Sequence, residues 1–200
     1  MSKKRNYTLG KRAEAREETR RRIVEATMEL HEELGPRATS ISAIAERAGV
    51  QRLTVYRHFP DEAAILRACS THWLSLNPPP DPGTWAVLTD GERRTAAALA
   101  AFYGYYGRTQ RMWTAVYRDL AEVAALQAPV GEFLRYLQGV GEDLLRHLGD
   151  PAEPRAGLAA TVHHALAFQT WQSLEQQGLS DKAKVALVGR WIRAAMEGDG

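Results

Sequence analysis

Apolar positions recur along this chain at helical spacing almost from end to end. Ile23, Thr27, Leu30 and Leu34 follow one another at steps of four, three and four, which places them on one helical face. The spacing predicts a helix over about 11–34, stopped by Gly35-Pro36. Thr39 and Ser40 offer N-cap oxygens to a second helix, whose face is Ile41, Ile44, Ala45 and Ala48 and whose end is Gly49. Residues 51–59 predict a third, short helix stopped by Pro60. Asp61 is placed to cap a fourth over about 62–76, carrying Ala64, Ile65, Ala68, Trp73 and Leu76.

The run Asn-Pro-Pro-Pro-Asp-Pro-Gly at 77–83 is the strongest breaker in the sequence and predicts a loop. Beyond it, helices are expected over about 84–107, 110–126, 129–148, 154–177 and 181–197. Their breaks fall at 107–109, 128–129, 149–151 and 178–180. No segment alternates as a strand does. The expected fold class is all-α with about nine helices: a small N-terminal unit over 11–60, a connecting helix over 62–76, and a larger helical body within 61–200. Residues 1–10 lack apolar periodicity and are expected to form a flexible basic arm.

The stretch 37–66 carries the chemistry. Two short helices meet at a tight Ala48-Gly49-Val50 turn, where Gly49 can take the left-handed conformation. Small or branched residues at Ile44, Ala45 and Ala48 let the helices approach, and Val50 and Val55 close the same core. This is a helix-turn-helix, a motif whose second helix can enter the DNA major groove. The segments Ala-Ile-Ala-Glu-x-Ala-Gly-Val and Thr-Val-Tyr-Arg-His-Phe-Pro-Asp resemble the N-terminal domain of the TetR (tetracycline repressor) family of bacterial regulators. The resemblance is strong over about residues 16–66.

That resemblance implies site residues. Thr39 and Ser40 open the first motif helix, an end that touches phosphate in the family. Gln51, Arg52, Leu53 and Thr54 open the recognition helix, where Arg52 can bind guanine bidentately and Gln51 adenine. Tyr56 matches a phosphate-contacting tyrosine, and Arg57 and His58 follow near the backbone. Ile44, Ala45, Val55 and Phe59 are expected to pack. Three positions depart from the family pattern. Gln51 stands where Ser or Thr is usual, Leu53 where a small residue is usual, and Glu62 where many relatives carry a phosphate-binding Lys. Glu62 is expected to favour its own helix dipole instead.

Charge agrees with a DNA-binding head. Net charge is only +2 at pI ≈ 8.8. Residues 1–67 hold 14 Lys and Arg against 10 Asp and Glu, and the first 22 residues hold 9 against 3. Lys3, Lys4, Arg5, Lys11 and Arg12 can follow a phosphate strand or enter the minor groove, or serve only as a solubilising tail.

The body is aromatic-rich, and aromatics at helical spacing are most often core. The resemblance implies a small-molecule pocket there, and Tyr103, Tyr106, Trp113, Tyr117, Tyr136, His163 and Phe168 are its candidate wall, suited to an apolar or aromatic effector. The predicted helices over 154–177 and 181–197 carry apolar stripes. One runs through Leu158, Val162, Leu166, Gln169 and Leu174, the other through Val185, Leu187, Val188, Trp191 and Ile192. As an antiparallel pair they suit a homodimer through a four-helix bundle, or the subunit's own core.

The chain has a single cysteine, Cys69, so an internal disulfide and a Cys-rich zinc site are excluded. His163 and His164 point about 100° apart on a helix and chelate one metal poorly. No metal, cofactor, catalytic residue or membrane span is expected, and the basic start, with no apolar stretch and cleavage site after it, is not expected to be a secretory signal. The expected home is a reducing cytoplasm. The reading these features support is a regulator that binds a double-stranded operator as a dimer and is released by an effector. Its rivals are a ligand-independent DNA-binding protein and a small helical enzyme.

Overall fold

The computed structural model describes residues 2–149 and 156–198, with side chains described from Gly10 onward. Among the described residues ten α-helices follow in order: α1 Ser2–Glu33, α2 Ile41–Ala48, α3 Arg52–His58, α4 Glu62–Leu76, α5 Gly83–Ala86, α6 Gly91–Asp119, α7 Gln127–Leu148, α8 Ala156–Leu166, α9 Phe168–Glu175 and α10 Asp181–Gly198. A 3₁₀ turn, Ala124–Leu126, precedes α7. No strand occurs among the described residues. The chain forms two compact units, one of Met1–Asn77 with Thr114–Pro129, the other of Pro78–Trp113 with Val130–Gly200.

The first unit folds around the apolar faces read above. Ile23, Val24, Ala26 and Leu30 of α1 meet Ile41, Ile44, Ala45 and Ala48 of α2, Val55 of α3, Phe59 and Ile65. Each helix end has a local cause. Leu34 and Gly35 N–H groups donate back to Leu30 and His31, and Gly35 takes φ +92°. Asp61 caps α4 by accepting from the Ala64 amide at 2.7 Å. Glu62 lies in the first turn of that helix, as its dipole favours.

In the second unit, Trp85, Phe102, Tyr103, Tyr105, Tyr106, Phe168 and Trp171 are almost wholly buried. The buried Arg94 guanidinium binds Asp143 at 2.8 Å and donates to the carbonyls of Ala86 (2.6 Å) and Leu88 (3.1 Å), satisfying groups that the short α5 leaves open. Lys184, also buried, reaches Asp181 at 2.7 Å as well as Glu175, and its ammonium lies 5.1 Å from the centre of the Trp171 ring.

Several expected boundaries move. The α1 backbone is helical from Ser2, where the sequence predicts a flexible arm over 1–10; a helix already nucleated on its packed part can propagate at one hydrogen bond per added residue without further apolar contacts. The break expected at 107–109 is absent, because α6 runs on through it. Thr109 turns its hydroxyl to the Tyr105 carbonyl (2.6 Å), and buried side chains on both sides hold the helix against its glycines. α6 then stops at Asp119, short of the expected 126. The helix expected over 154–177 is two, α8 and α9, separated by Ala167 in an extended conformation. The carbonyls freed there are taken by the hydroxyls of Tyr103, Tyr106 and Thr170.

Candidate nucleic-acid interface

The α2–turn–α3 segment is built from backbone geometry outward. Ser40 accepts from the Ala43 amide at 3.2 Å and so caps α2. Gly49 ends α2 at φ 64°, ψ 41°, with its own N–H bonded to Glu46 and that of Val50 to Ala45 (2.9 Å). Arg22, from α1, donates to the carbonyls of Ala48 and of Gly49 (3.2 Å), tying the turn to the first helix. A Cβ at position 49 would stand 3.0 Å from that guanidinium. Arg47 holds the other side of α2 to α1 through Glu29 (3.2 Å) and Glu33 (2.8 Å).

The short α3 is divided by exposure. Val55 is wholly buried and Phe59 nearly so, while Leu53 is 57% exposed and Tyr56 45% exposed. Gln51, Arg52 and Arg57 are exposed as well. An apolar anchor thus presents a row of hydrogen-bonding side chains and one leucine to solvent. Gln51 occupies the N-cap of α3 without a side-chain capping bond. Its amide is therefore not committed to the helix, which follows from the departure noted at this position. Thr54 and His58 are half-buried. The His58 imidazole is held below its ordinary pKa by partial burial first, and then by the positive charges of Arg16 and Arg20.

Thr39 and Ser40 are committed locally. The Thr39 hydroxyl donates to the Gly35 carbonyl at 2.8 Å, and Ser40 caps. Both stand at the N-terminus of α2, where free amides and a positive helix end suit a phosphate. The nine residues singled out for DNA therefore lie along one continuous segment, from Thr39 to His58. Arg20 and Arg22 were not anticipated. Arg20 lies 4.8 Å over the Phe59 ring and Arg22 holds the turn. Both belong to the basic run 20–22, but a charge run does not say which member turns inward.

The candidate effector wall is distributed differently. Tyr103 and Tyr106 are buried and donate to the carbonyls of Ala165 (3.0 Å) and Leu166 (2.7 Å). Trp113 stacks near Phe133 at 4.4 Å between centroids, and Phe168 meets Tyr106 edge-on at 5.4 Å. Tyr136 is half-buried and donates to the Pro80 carbonyl. His163 lies against Gly141, where a Cβ would approach its ring to 2.5 Å. Tyr117 falls in the other compact unit, with residues 114–129. Among the described residues no cluster of His, Cys, Asp and Glu could hold a metal, and no helix is long and apolar enough to cross a membrane.

Known proteins share this fold. The family model described as "Bacterial regulatory proteins, tetR family" matches residues 23–69, the segment from the α1 core to Cys69. An HTH-type transcriptional regulator of Pseudomonas putida, SrpR, is 38% identical over 196 residues, covering 90% of this chain and 87% of that protein. Among solved structures, a TetR-like transcriptional regulator from a Rhodococcus species superposes with a TM-score of 0.64 at 19% identity, over 90% of this chain and 96% of that one. The regulator FadR of Bacillus subtilis, solved in complex with stearoyl-CoA, gives 0.59 at 16% identity, over 88% and 97%.

Proposed function

This chain belongs to the TetR family of bacterial transcriptional regulators and carries its DNA-binding domain, and we propose that it acts as a homodimeric, ligand-responsive repressor in the cytoplasm. The observation that carries the reading is the two-sided α3: Val55 and Phe59 are locked in the core, while Gln51, Arg52, Leu53 and Tyr56 face solvent. Arg52 and Gln51 have the donor and acceptor geometry for base edges. Tyr56, Arg57 and the N-terminus of α2 serve phosphates.

Dimerisation through α8, α9 and α10 places two copies of α3 about 34–36 Å apart, matching successive major grooves of a pseudo-palindromic operator. Residues 61–200 supply the effector-binding and dimerising part, with α4 as the connection. The aromatic body suits an apolar or aromatic effector, and FadR of Bacillus subtilis, a protein of the same fold, binds an acyl-CoA. An effector lowers DNA affinity only by the difference between its affinities for the free and the DNA-bound conformations.

Selection of bound duplexes from a random-sequence pool by the full-length protein tests the proposal. An inverted repeat with half-sites about one helical turn apart is the expected product. A pool that enriches no sequence would refute the reading.

A further inference from the structure

We propose that Asp119, outside the helix-turn-helix, is a positioning residue for DNA binding: its carboxylate fixes the α1–α2 turn and, through it, the phosphate-facing end of α2. The inference rests on the regulator reading. It begins from a group that DNA recognition does not use, a buried carboxylate at the last residue of α6, 3% exposed.

Asp119 Oδ2 accepts from the Arg37 amide at 3.0 Å. Arg118 donates from Nε to Asp119 Oδ1 at 2.8 Å and from Nη2 to the Leu34 carbonyl at 2.8 Å. Two adjacent residues therefore hold both ends of the turn, one through a carbonyl and one through an amide. Gly35, between those ends, makes the approach possible. A Cβ there would stand 2.4 Å from Asp119 Oδ2, and its φ of +92° disfavours any side chain.

From the turn, the bonds continue toward the interface. The Gly35 carbonyl accepts the Thr39 hydroxyl at 2.8 Å, and the next residue, Ser40, caps α2. The path from Asp119 to the N-terminus of α2 is thus continuous through hydrogen bonds and one short backbone segment. The exposed Arg37–Glu122 pair lies beside it and adds little, because surface ion pairs contribute weakly. Arg118 keeps the carboxylate ionised: its hydrogen bond, ahead of the Arg37 amide, lowers the Asp119 pKa. A phosphate-binding helix end works only if its supports hold it to within about 0.5 Å. Asp119 is such a support.

The test uses the full-length protein and a duplex enriched by the wild type from a random pool. Asp119→Ala is expected to lower operator affinity at least tenfold at fixed salt. Asp119→Asn, which keeps an oxygen acceptor, is expected to lower it less than threefold. The slope of log affinity against log salt should stay that of the wild type, since no phosphate contact is removed. Amide hydrogen exchange over residues 37–43 should accelerate in Asp119→Ala while the α4 core keeps its protection. An affinity within twofold of wild type, or unchanged exchange at those amides, would overturn the inference. Should Asp119→Ala fail to fold, Arg118→Met, which alters an exposed side chain, decides instead. A loss of threefold or more at unchanged slope supports the clamp, and a loss under twofold overturns it. If the wild type itself enriches no sequence, the regulator reading fails, and the exchange measurement alone judges the clamp.

Discussion

The guanidinium of Arg22 donates to the carbonyl of Gly49 at 3.2 Å, so α1 holds the turn that sets the angle between α2 and α3. A charged donor is well suited to this place, because the carbonyls at the end of α2 carry the negative pole of the helix. Arg22→Met should lower stability by about 1–2 kcal/mol, in the range for a partly exposed charge-assisted hydrogen bond. Urea denaturation measures it. An unchanged midpoint would show that water replaces the guanidinium without loss.

Gly49 itself is held at φ 64°, and a left-handed residue with a Cβ costs about 1–2 kcal/mol. The added methyl of Gly49→Ala would also press on Arg22. The variant should melt earlier than the wild type and bind operator more weakly. A melting temperature equal to the wild type's would contradict the role assigned to this turn.

Side chains on the exposed face of α3 should separate by function. Arg52→Ala should cost about 1–3 kcal/mol of operator affinity and relax the preference at one base position. Tyr56→Phe should weaken binding evenly across sequences, since the proposed reading gives Tyr56 a phosphate contact and not a base contact. Neither should move the melting temperature by more than a degree or two, both residues being exposed. Binding of mutated operator duplexes reads the distinction. Sequence-selective loss in the Tyr56 variant would reverse the assignment.

Buried His31 makes stability depend on pH. Burial depresses its pKa to about 4, against a smaller raising effect of Asp119, and its Nδ1 lies 3.6 Å from Cys69 Sγ. The folded state therefore binds fewer protons than the unfolded chain between the ordinary histidine value near 6.5 and about 4. The stabilisation is whole above pH 6.5 and is lost as the pH falls toward 4, with a slope of at most about 1.4 kcal/mol per pH unit. Melting curves from pH 7 to pH 4 should show this decline, and His31→Leu should flatten it. An equal decline in that variant would assign the acid sensitivity to other groups.

Cys69 is buried, and burial pushes its thiol pKa up to about 12. Very little thiolate exists at neutral pH, so alkylation by iodoacetamide at pH 8 should be slow in the folded protein and fast in urea. Rapid labelling of the native protein would show that the α1–α4 packing opens often.

The helix-turn-helix was legible in the sequence because its constraints are local. The capping hydroxyl of Ser40, the stop at Gly49, the α2 stripe and the Phe59-Pro60 end all lie within about 20 residues. The body was less legible because its breaks depend on distant partners. Ala167 separates α8 from α9 with no Gly or Pro beside it, and the freed carbonyls are satisfied by Tyr103 and Tyr106, some 60 residues away. Conversely, Gly107 and Thr109 look like a break but lie inside α6, where buried rings outweigh propensity. The role of Asp119 could not be read from its own segment, since its partners lie in the α1–α2 turn, 82 residues earlier.

The central claim is that two copies of α3 read one operator. Fluorescence anisotropy of the selected duplex, titrated near physiological salt with excess nonspecific competitor, tests it most directly. The account predicts saturation at two subunits per duplex, survival against competitor, and loss of binding when one half-site is moved by five base pairs. Binding that competitor erases, or that ignores half-site spacing, would contradict it.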